Sequence, residues 1–223
     1  GGCNITVPFK FSAAALAARV TERATLAAAA NILSFRPDGW LADNTDGVGL
    51  LRDIELHAGW PLAGQRVLLV GAGGAAAGVL GPLLQARPAE VVVVNRSPER
   101  GEALAKRHQA LAAEHGVRLL TAGIDRPGHA FDVVINATAS SLQAAGVPVP
   151  VQVLRPGCLA MDLMYGPASR GFLDWAEAAG AVGRDGLGML VEQAAEAFRI
   201  WRGVRPDGAP VLQALRQHLA RTR

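Results

Sequence analysis

Apolar and polar residues follow two different patterns along the chain, and the change falls near residue 64. Beyond it, short runs that are almost wholly apolar alternate with longer segments of helical spacing. The runs predict buried strands at 66–70, 90–94, 117–120, 131–136 and 158–163, and the other segments predict helices at 75–85, 98–114, 185–201 and 210–221. Buried strands that alternate with helices are typical of a parallel sheet covered on both faces. This part of the chain therefore predicts an α/β fold with a doubly wound parallel sheet.

The first 60 residues predict smaller elements. Residues 5–7 alternate as far as Pro8, which predicts a strand end, and the Ala-rich residues 12–30 favour helix. Short apolar stretches flank residues 36–39, whose Pro and Gly are typical of a turn, so a hairpin is predicted there. Residues 48–58 have apolar positions at helical spacing.

Composition excludes several classes of protein. Of the 223 residues, 50% are hydrophobic and 18% are charged, which is enough for a buried core. No apolar run favours a transmembrane helix and no signal peptide is visible, so we expect a cytoplasmic protein with no membrane partner. A net charge of +3, evenly spread, does not favour nucleic acid. The two cysteines and five histidines show no metal-ligand spacing, and we expect the histidines to be solvated.

The basic residues are unevenly divided between the two types. Lysine and arginine together number 22, yet only Lys10 and Lys106 are lysines. Arginine keeps its proton in a protein, whereas lysine can release one. Each lysine is therefore a candidate for proton transfer, although Lys106 lies on a polar helix face and is expected at the surface.

A glycine-rich turn directly follows the predicted strand at 66–70 and opens a helix. Its residues are Gly71, Ala72, Gly73, Gly74 and Ala75, followed by Ala76, which makes the pattern G-x-G-x-x-A. Glycines at these positions let the backbone approach a pyrophosphate, and the helix N-terminus supplies free N–H groups. The turn predicts a dinucleotide site.

The end of the second strand of this unit distinguishes between the two nicotinamide cofactors. An NAD enzyme usually carries a carboxylate there, but this chain reads Asn95-Arg96-Ser97, with Arg100 four residues after the first arginine. Guanidinium and hydroxyl groups hold a 2′-phosphate, which a carboxylate would repel. We therefore predict NADP as the cofactor.

Two polar clusters precede the nucleotide turn. Asn4, Thr6 and Lys10 surround a short strand end, and Asn44-Thr45-Asp46 lies at a helix start. Lys10 and Asp46 have the chemistry of a catalytic pair that meets across a cleft. From the spacing alone, a surface salt bridge and an N-cap are favoured over catalysis.

Six ordered motifs give the chain a resemblance to the shikimate dehydrogenases, a family of aromatic amino-acid and chorismate biosynthesis. They are N-[VI]-T-x-P-x-K at 4–10, N-T-D-G-x-G at 44–49, the glycine-rich turn at 71–75, N-R-[ST]-x-x-R at 95–100, N-A-T at 136–138, and D-G-L-G-M-L-V-x-Q-A-A at 185–195. The resemblance covers essentially the whole chain.

This resemblance implies an oxidoreductase that reversibly reduces 3-dehydroshikimate to shikimate with NADPH. Lys10 and Asp46 match the catalytic pair, and Thr6, Asn31, Asp46, Tyr165 and Gln193 match substrate-binding positions. Thr138, Leu163 and Gly186 match positions at the cofactor. The implied organisation is a Rossmann-type NADP-binding domain at 47–186 and a substrate lobe at 1–46 and 187–223. We expect a monomer or a homodimer.

The chain departs from the family pattern in two places. The family begins about 50 residues earlier, with a first strand and a Ser-x-Ser loop for the substrate carboxylate, so we expect the substrate lobe to be incomplete. The family also has Asn-Thr where this chain has Asn31-Ile32, which removes a hydroxyl near the substrate. Two alternatives remain open: a quinate/shikimate dehydrogenase that uses NAD, and a non-catalytic NADP-binding paralogue or fragment.

Overall fold

Two β-sheets organise the protein, and a computed structural model describes residues 1–139 and 146–221. The larger sheet has six parallel strands in the order β10-β9-β8-β5-β6-β7. These strands are β5 (Arg66–Val70), β6 (Glu90–Asn95), β7 (Arg118–Gly123), β8 (Phe131–Asn136), β9 (Leu154–Asp162) and β10 (Val182–Asp185). The prediction of an α/β fold with a parallel sheet is confirmed.

Helices cover both faces of this sheet, as its apolar strands require. They are α4 (Gly74–Gln85), α5 (Pro98–Glu114) and α6 (Arg170–Ala178). Within β5, Val67 and Leu69 pack into one apolar core, and Leu68 and Val70 pack into the other. Because both faces are buried, every position of the strand favours an apolar residue.

The smaller sheet has four strands in the order β1-β3-β4-β2. The strands are β1 (Gly2–Asn4), β2 (Arg19–Val20), β3 (Ile32–Ser34) and β4 (Leu41–Asp43), and its helices are α1 (Lys10–Leu16) and α2 (Glu22–Ala27). Strands β3 and β4 pair antiparallel, which confirms the predicted hairpin. The domain limits at residues 46 and 186 stay a prediction.

Three more helices belong to the described part of the fold. Helix α3 (Asp46–Arg52) continues into a π-helical turn (Asp53–His57) and packs between α4 and α7 (Leu187–Arg202). Helix α8 (Ala209–Arg221) follows α7. None of the helices in the described ranges is both long and apolar enough to cross a membrane.

Several local predictions were wrong. The first strand is β1 rather than residues 5–7, because a turn closed by the Phe9 N–H donating to the Thr6 carbonyl takes the chain away from the sheet. The predicted helix at 12–30 is divided by β2, which pairs with β4. Residue 185 ends strand β10 instead of beginning a helix.

His108 contradicts the expectation that the histidines are solvated. Its side chain on α5 is fully buried where this helix packs against α4. Its Nδ1 lies 2.9 Å from the Leu104 carbonyl oxygen, so Nδ1 donates, while Nε2 has no partner in the described part of the protein. Burial lowers the pKa of His108 below its ordinary value, which the hydrogen bond to Leu104 only partly opposes.

We expect His108 to make folding stability sensitive to mild acid. A histidine whose folded pKa is lowered stabilises the fold fully above its unfolded pKa of about 6.5, and this stability is lost as pH falls below that value. Each pH unit between the two pKa values removes about 1.4 kcal/mol. Urea unfolding at pH 8 and pH 5 measures the loss, which His108→Asn should reduce. An equal pH dependence in the two proteins would contradict this assignment.

Candidate active site

Lys10 and Asp46 form an ion pair between the two sheets. Lys10 is the first residue of α1 and Asp46 is the first residue of α3. The Lys10 Nζ lies 2.5 Å from the Asp46 Oδ2, and the exposed fractions of the two side chains are 12% and 1%. The structure thus brings together two residues that are 36 positions apart and nearly removes their charges from water.

Asn31 connects this pair to α7. Its Nδ2 lies 2.9 Å from the Asp46 Oδ1, the Thr45 Oγ1 and the Gln193 Oε1. The Thr45 backbone N–H donates to the Asn31 Oδ1 at 2.8 Å, which fixes the orientation of the amide. Asn31 therefore places the Gln193 side chain beside the ion pair.

Helix α4 closes the other side of Asp46. Gly78 lies so near that a Cβ atom there would come within 2.8 Å of the Asp46 Oδ2 and of the Asn44 amide. Asn44 itself accepts from the Asp46 N–H and donates to the Ala29 carbonyl. The carboxylate is consequently held by Lys10 and Asn31 and closely covered by α4.

Ion pairs support the site from outside the cleft. Beside Gln193, Glu192 binds Arg52, His57 and Arg205. Burial opposes the charge of Glu192, but these hydrogen bonds prevail and lower its pKa to about 2. Asp43, at the end of β4, has a lowered pKa because hydrogen bonds from Arg23 and Thr21 outweigh its burial.

The predicted cofactor residues lie at the carboxyl ends of the parallel strands. Each follows or ends a strand of the larger sheet: Gly71, Ala72, Gly73, Gly74 and Ala75 after β5, Asn95, Arg96, Ser97 and Arg100 around the end of β6, Thr138 after β8, Leu163 after β9, and Gly186 after β10. Because the strands are parallel, these positions meet at one edge, where α/β sheets bind nucleotides.

The glycine-rich turn fits a pyrophosphate. A Cβ at Gly73 would meet nothing within 4 Å, so open space lies beside this backbone, and the 12-residue helix α4 begins at the next residue. At Gly71 the backbone has φ +115°, a conformation that L side chains rarely adopt. Free space therefore lies beside Gly73 at a helix N-terminus, where N–H groups can bind an anion, while the Lys10 side chain lies beside Gly74.

Arg96 and Arg100 are exposed beyond the end of β6, with Ser97 half-buried between them. Within the described residues neither arginine forms an ion pair, in contrast to Arg66 and Arg118 at the opposite end of the sheet, which both bind Glu90. Two such guanidinium groups beside a hydroxyl fit a phosphate monoester.

Polar contacts also join the ends of β8 and β9. The Thr138 hydroxyl donates to the Asn136 Oδ1 at 2.7 Å, and the Asn136 Nδ2 donates to the buried Asp162 at 3.2 Å. Asp162 also accepts from the Met164 N–H at 2.9 Å. This network holds the segments that carry Thr138 and Leu163.

One cleft of about 620 Å³ lies between the ion pair and the strand ends. Its lining includes Thr6, Lys10, Asp46, Ala75, Leu163, Tyr165, Gly186 and Gln193, all of them predicted site residues. Asn31 lines an adjoining pocket of about 160 Å³ together with Thr6, Lys10 and Gln193. Thr138 and the predicted cofactor residues around the end of β6 do not line either of these two cavities.

Sequence reasoning missed several apolar residues of the cleft, including Met164, Ala168 and Leu190. Leu190 lies three residues before Gln193 on α7, so helical spacing was an available signal for it. Ile32, where the family has a hydroxyl, is fully buried in β3. Within the described residues, no group of three or more His, Cys, Asp or Glu is arranged to hold a metal ion.

Comparison with known sequences identifies related proteins. The model for "Shikimate / quinate 5-dehydrogenase" matches residues 55–146, and that for "Shikimate 5'-dehydrogenase C-terminal domain" matches residues 186–216. A protein named shikimate dehydrogenase (NADP(+)) from Methylibium petroleiphilum is 64% identical over 215 residues, which are 96% of this chain and 73% of that relative.

Solved structures are similar as well. An Ael1 enzyme from Pseudomonas putida is 50% identical with a TM-score of 0.87, and the match covers 96% of this chain and 78% of that enzyme. Shikimate 5-dehydrogenase from Thermus thermophilus, in complex with NADP(H) and shikimate, is 32% identical with a TM-score of 0.82. That match covers 97% of this chain and 78% of the other.

We expect Gly78→Ala to disturb the Lys10–Asp46 pair. The new methyl group would displace the buried Asp46 carboxylate, which costs about 1–3 kcal/mol and exceeds the gain of about 1 kcal/mol from alanine in a helix. Gly171→Ala on α6 is the matched control, because a Cβ there meets nothing within 4 Å. Urea unfolding should show a loss for Gly78→Ala alone; equal stability changes in both variants would disprove the close approach.

Proposed function

Because the chain belongs to the shikimate dehydrogenase (NADP+) family, we propose that it catalyses the reversible reduction of 3-dehydroshikimate to shikimate with NADPH. The observation that carries this proposal is the shared cleft: the Lys10–Asp46 pair and the strand-end residues Leu163 and Gly186 line the same cavity. A proton donor and a nicotinamide site therefore face one bound substrate.

Reduction of a ketone to an alcohol needs one hydride and one proton. When bound, NADPH supplies the hydride to the carbonyl carbon of the substrate. The Lys10 ammonium then gives its proton to the oxygen, which would otherwise become an alkoxide. Asp46 orients the ammonium through their 2.5 Å contact. In the reverse direction Lys10 takes the proton back, so the same pair serves both directions.

The remaining polar groups of the cleft bind and orient the substrate in this proposal. Thr6, Asn31 and Gln193 present hydroxyl and amide groups that suit the several hydroxyls of shikimate. Tyr165 lines the same cleft as Thr6 and Gln193 and is 44% exposed, and in this proposal its hydroxyl contacts the substrate. Leu163 and Met164 supply apolar contact with the ring faces.

NADP binds along the carboxyl edge of the sheet in this proposal. The turn at 71–75 holds the pyrophosphate, and Asn95, Arg96, Ser97 and Arg100 surround the 2′-phosphate. Thr138, Leu163 and Gly186 lie around the nicotinamide end of the cofactor.

We also propose a cytoplasmic location and a monomeric or homodimeric state. The direct test is NADPH oxidation with 3-dehydroshikimate, compared with quinate and NAD in a parallel assay.

We expect the cofactor preference to depend on Arg96. NADPH should bind more tightly than NADH, and Arg96→Ala should lose about 1.5–3 kcal/mol of NADPH affinity because one charge-assisted phosphate contact is removed. NADH affinity should stay the same. Nicotinamide fluorescence titrations measure both, with Arg107→Ala on α5 as the control for lost positive charge. Equal affinities of the unmutated protein for the two cofactors would favour the NAD-dependent alternative.

We expect Lys10→Ala to lower turnover by about 10²–10⁴-fold, the usual range for a positioned proton donor. NADPH affinity should change little, because the ammonium pairs with Asp46 and only the alkyl part of the Lys10 side chain lies beside Gly74 of the glycine-rich turn. Lys106→Ala, which removes the other lysine from an exposed face of α5, is the control. Steady-state kinetics and cofactor titration give both quantities. Near-normal turnover of Lys10→Ala would remove this residue from the mechanism.

A further inference from the structure

We propose that Arg184 is a positioning residue, which fixes the nicotinamide side of the cleft relative to the helix that carries Asp46. Arg184 lies on β10, two residues before Gly186, and pairs with Asp53 at the end of α3. This inference rests on the proposed function for the roles of Gly186 and Asp46. The contact itself lies outside the residues that line the cleft.

The ion pair is buried and bidentate. The Arg184 Nε donates to the Asp53 Oδ2 at 3.0 Å, and its Nη2 donates to the Asp53 Oδ1. The Asp53 side chain is fully buried and that of Arg184 is 19% exposed. Two parallel N–H···O contacts fix angle as well as distance, and a lysine ammonium cannot reproduce them.

The pair joins the two halves of the site over a short path. Asp53 directly follows α3, whose first residue is Asp46. On the other side, Gly186 follows Arg184 after one residue, and its N–H donates to the Met164 carbonyl at 2.9 Å. A displacement of β10 is therefore transmitted directly to the residue proposed at the nicotinamide.

The packing around the pair leaves little room for adjustment. A Cβ at Gly188, in the first turn of α7, would overlap the Asp53 carboxylate. On the far side of the strand, the Arg216 Nη2 lies 2.6 Å from the Asp185 Oδ1. Because hydride transfer depends steeply on the separation of the reacting carbons, a shift of about 1 Å at this strand end is expected to slow it strongly.

The first experiment compares two ligands that share the adenosine half. NADPH reaches the nicotinamide end of the site, whereas adenosine 2′,5′-bisphosphate ends before it. We expect Arg184→Met to weaken NADPH about tenfold while the bisphosphate changes by less than about twofold. Arg184→Lys should recover part of the loss. Arg170→Met is the control, because it breaks an exposed Arg–Asp pair on α6. Equal effects on the two ligands, or none on either, would overturn the proposal.

A neutral double variant separates positioning from folding. Arg184→Met alone leaves a buried carboxylate without its partner, which destabilises the protein. Asp53→Asn combined with Arg184→Met leaves no buried charge unpaired and still lacks the bidentate contact. We expect the double variant to unfold at a higher urea concentration than Arg184→Met and to keep the selective loss of NADPH affinity. Wild-type affinities in the double variant would show that the pair contributes only to stability.

The second experiment measures the chemical step. With shikimate deuterated at the carbon that loses the hydride, Arg184→Met should lower kcat about tenfold, leave KM for shikimate nearly unchanged and raise the isotope effect on kcat. An unchanged isotope effect would contradict the positioning role. If the wild-type protein binds NADPH but does not turn over, the proposed function fails, while the two binding affinities still decide the role of Arg184.

Discussion

The buried carboxylate of Asp46 is the constraint around which the site is arranged. At 1% exposure it has lost its water, and a buried charge without partners would destabilise the fold by several kcal/mol. Its partners come from separate segments: the Lys10 ammonium from α1, the Asn31 amide from the residue directly before β3, and the N-terminal end of its own helix, whose dipole favours negative charge. The segments that carry Lys10, Asn31 and Asp46 satisfy this group only when they pack together. The stability of the fold and the geometry of the cleft therefore depend on the same contacts.

The cations that bind the other buried carboxylates are mainly arginines. Asp53 binds Arg184, Asp43 binds Arg23, and Glu192 binds Arg52 and Arg205. A guanidinium keeps its proton and holds a carboxylate in fixed geometry, which suits a structural contact. Asp46 instead faces a lysine, the cation that can give up a proton. The proposed proton donor is thus one of the two lysines in the chain, whereas the contacts with a structural role use arginine.

Much of the fold and of the site could be predicted from local signals. The apolar runs at 66–70 and 131–136 predict buried strands because both sheet faces are covered, and the glycine-rich turn and the motifs with Lys10 and Asp46 are local in sequence. Strand β10 has no such signal: among the described residues it pairs with β9 alone, at the sheet edge, and it contains Gly183 and Arg184. His108 is buried because it lies on the face of α5 that packs against α4. The polar character of histidine does not predict this packing. The Arg184–Asp53 pair joins residues 131 positions apart, so only tertiary packing brings it about.

Helix α3 fixes the distance between the two sides of the cleft. Its seven residues span about 10 Å at 1.5 Å per residue. Asp46 at its first position holds the lysine, and Asp53 directly after its last position holds the strand that leads to Gly186. A short hydrogen-bonded helix between α4 and α7 changes its length very little, in contrast to a loop, which would let these two positions drift. The backbone of α3 therefore sets the distance between the proton donor and the strand end. Asp46 and Asp53, at the two ends of this helix, hold Lys10 and strand β10 at that distance in the cleft.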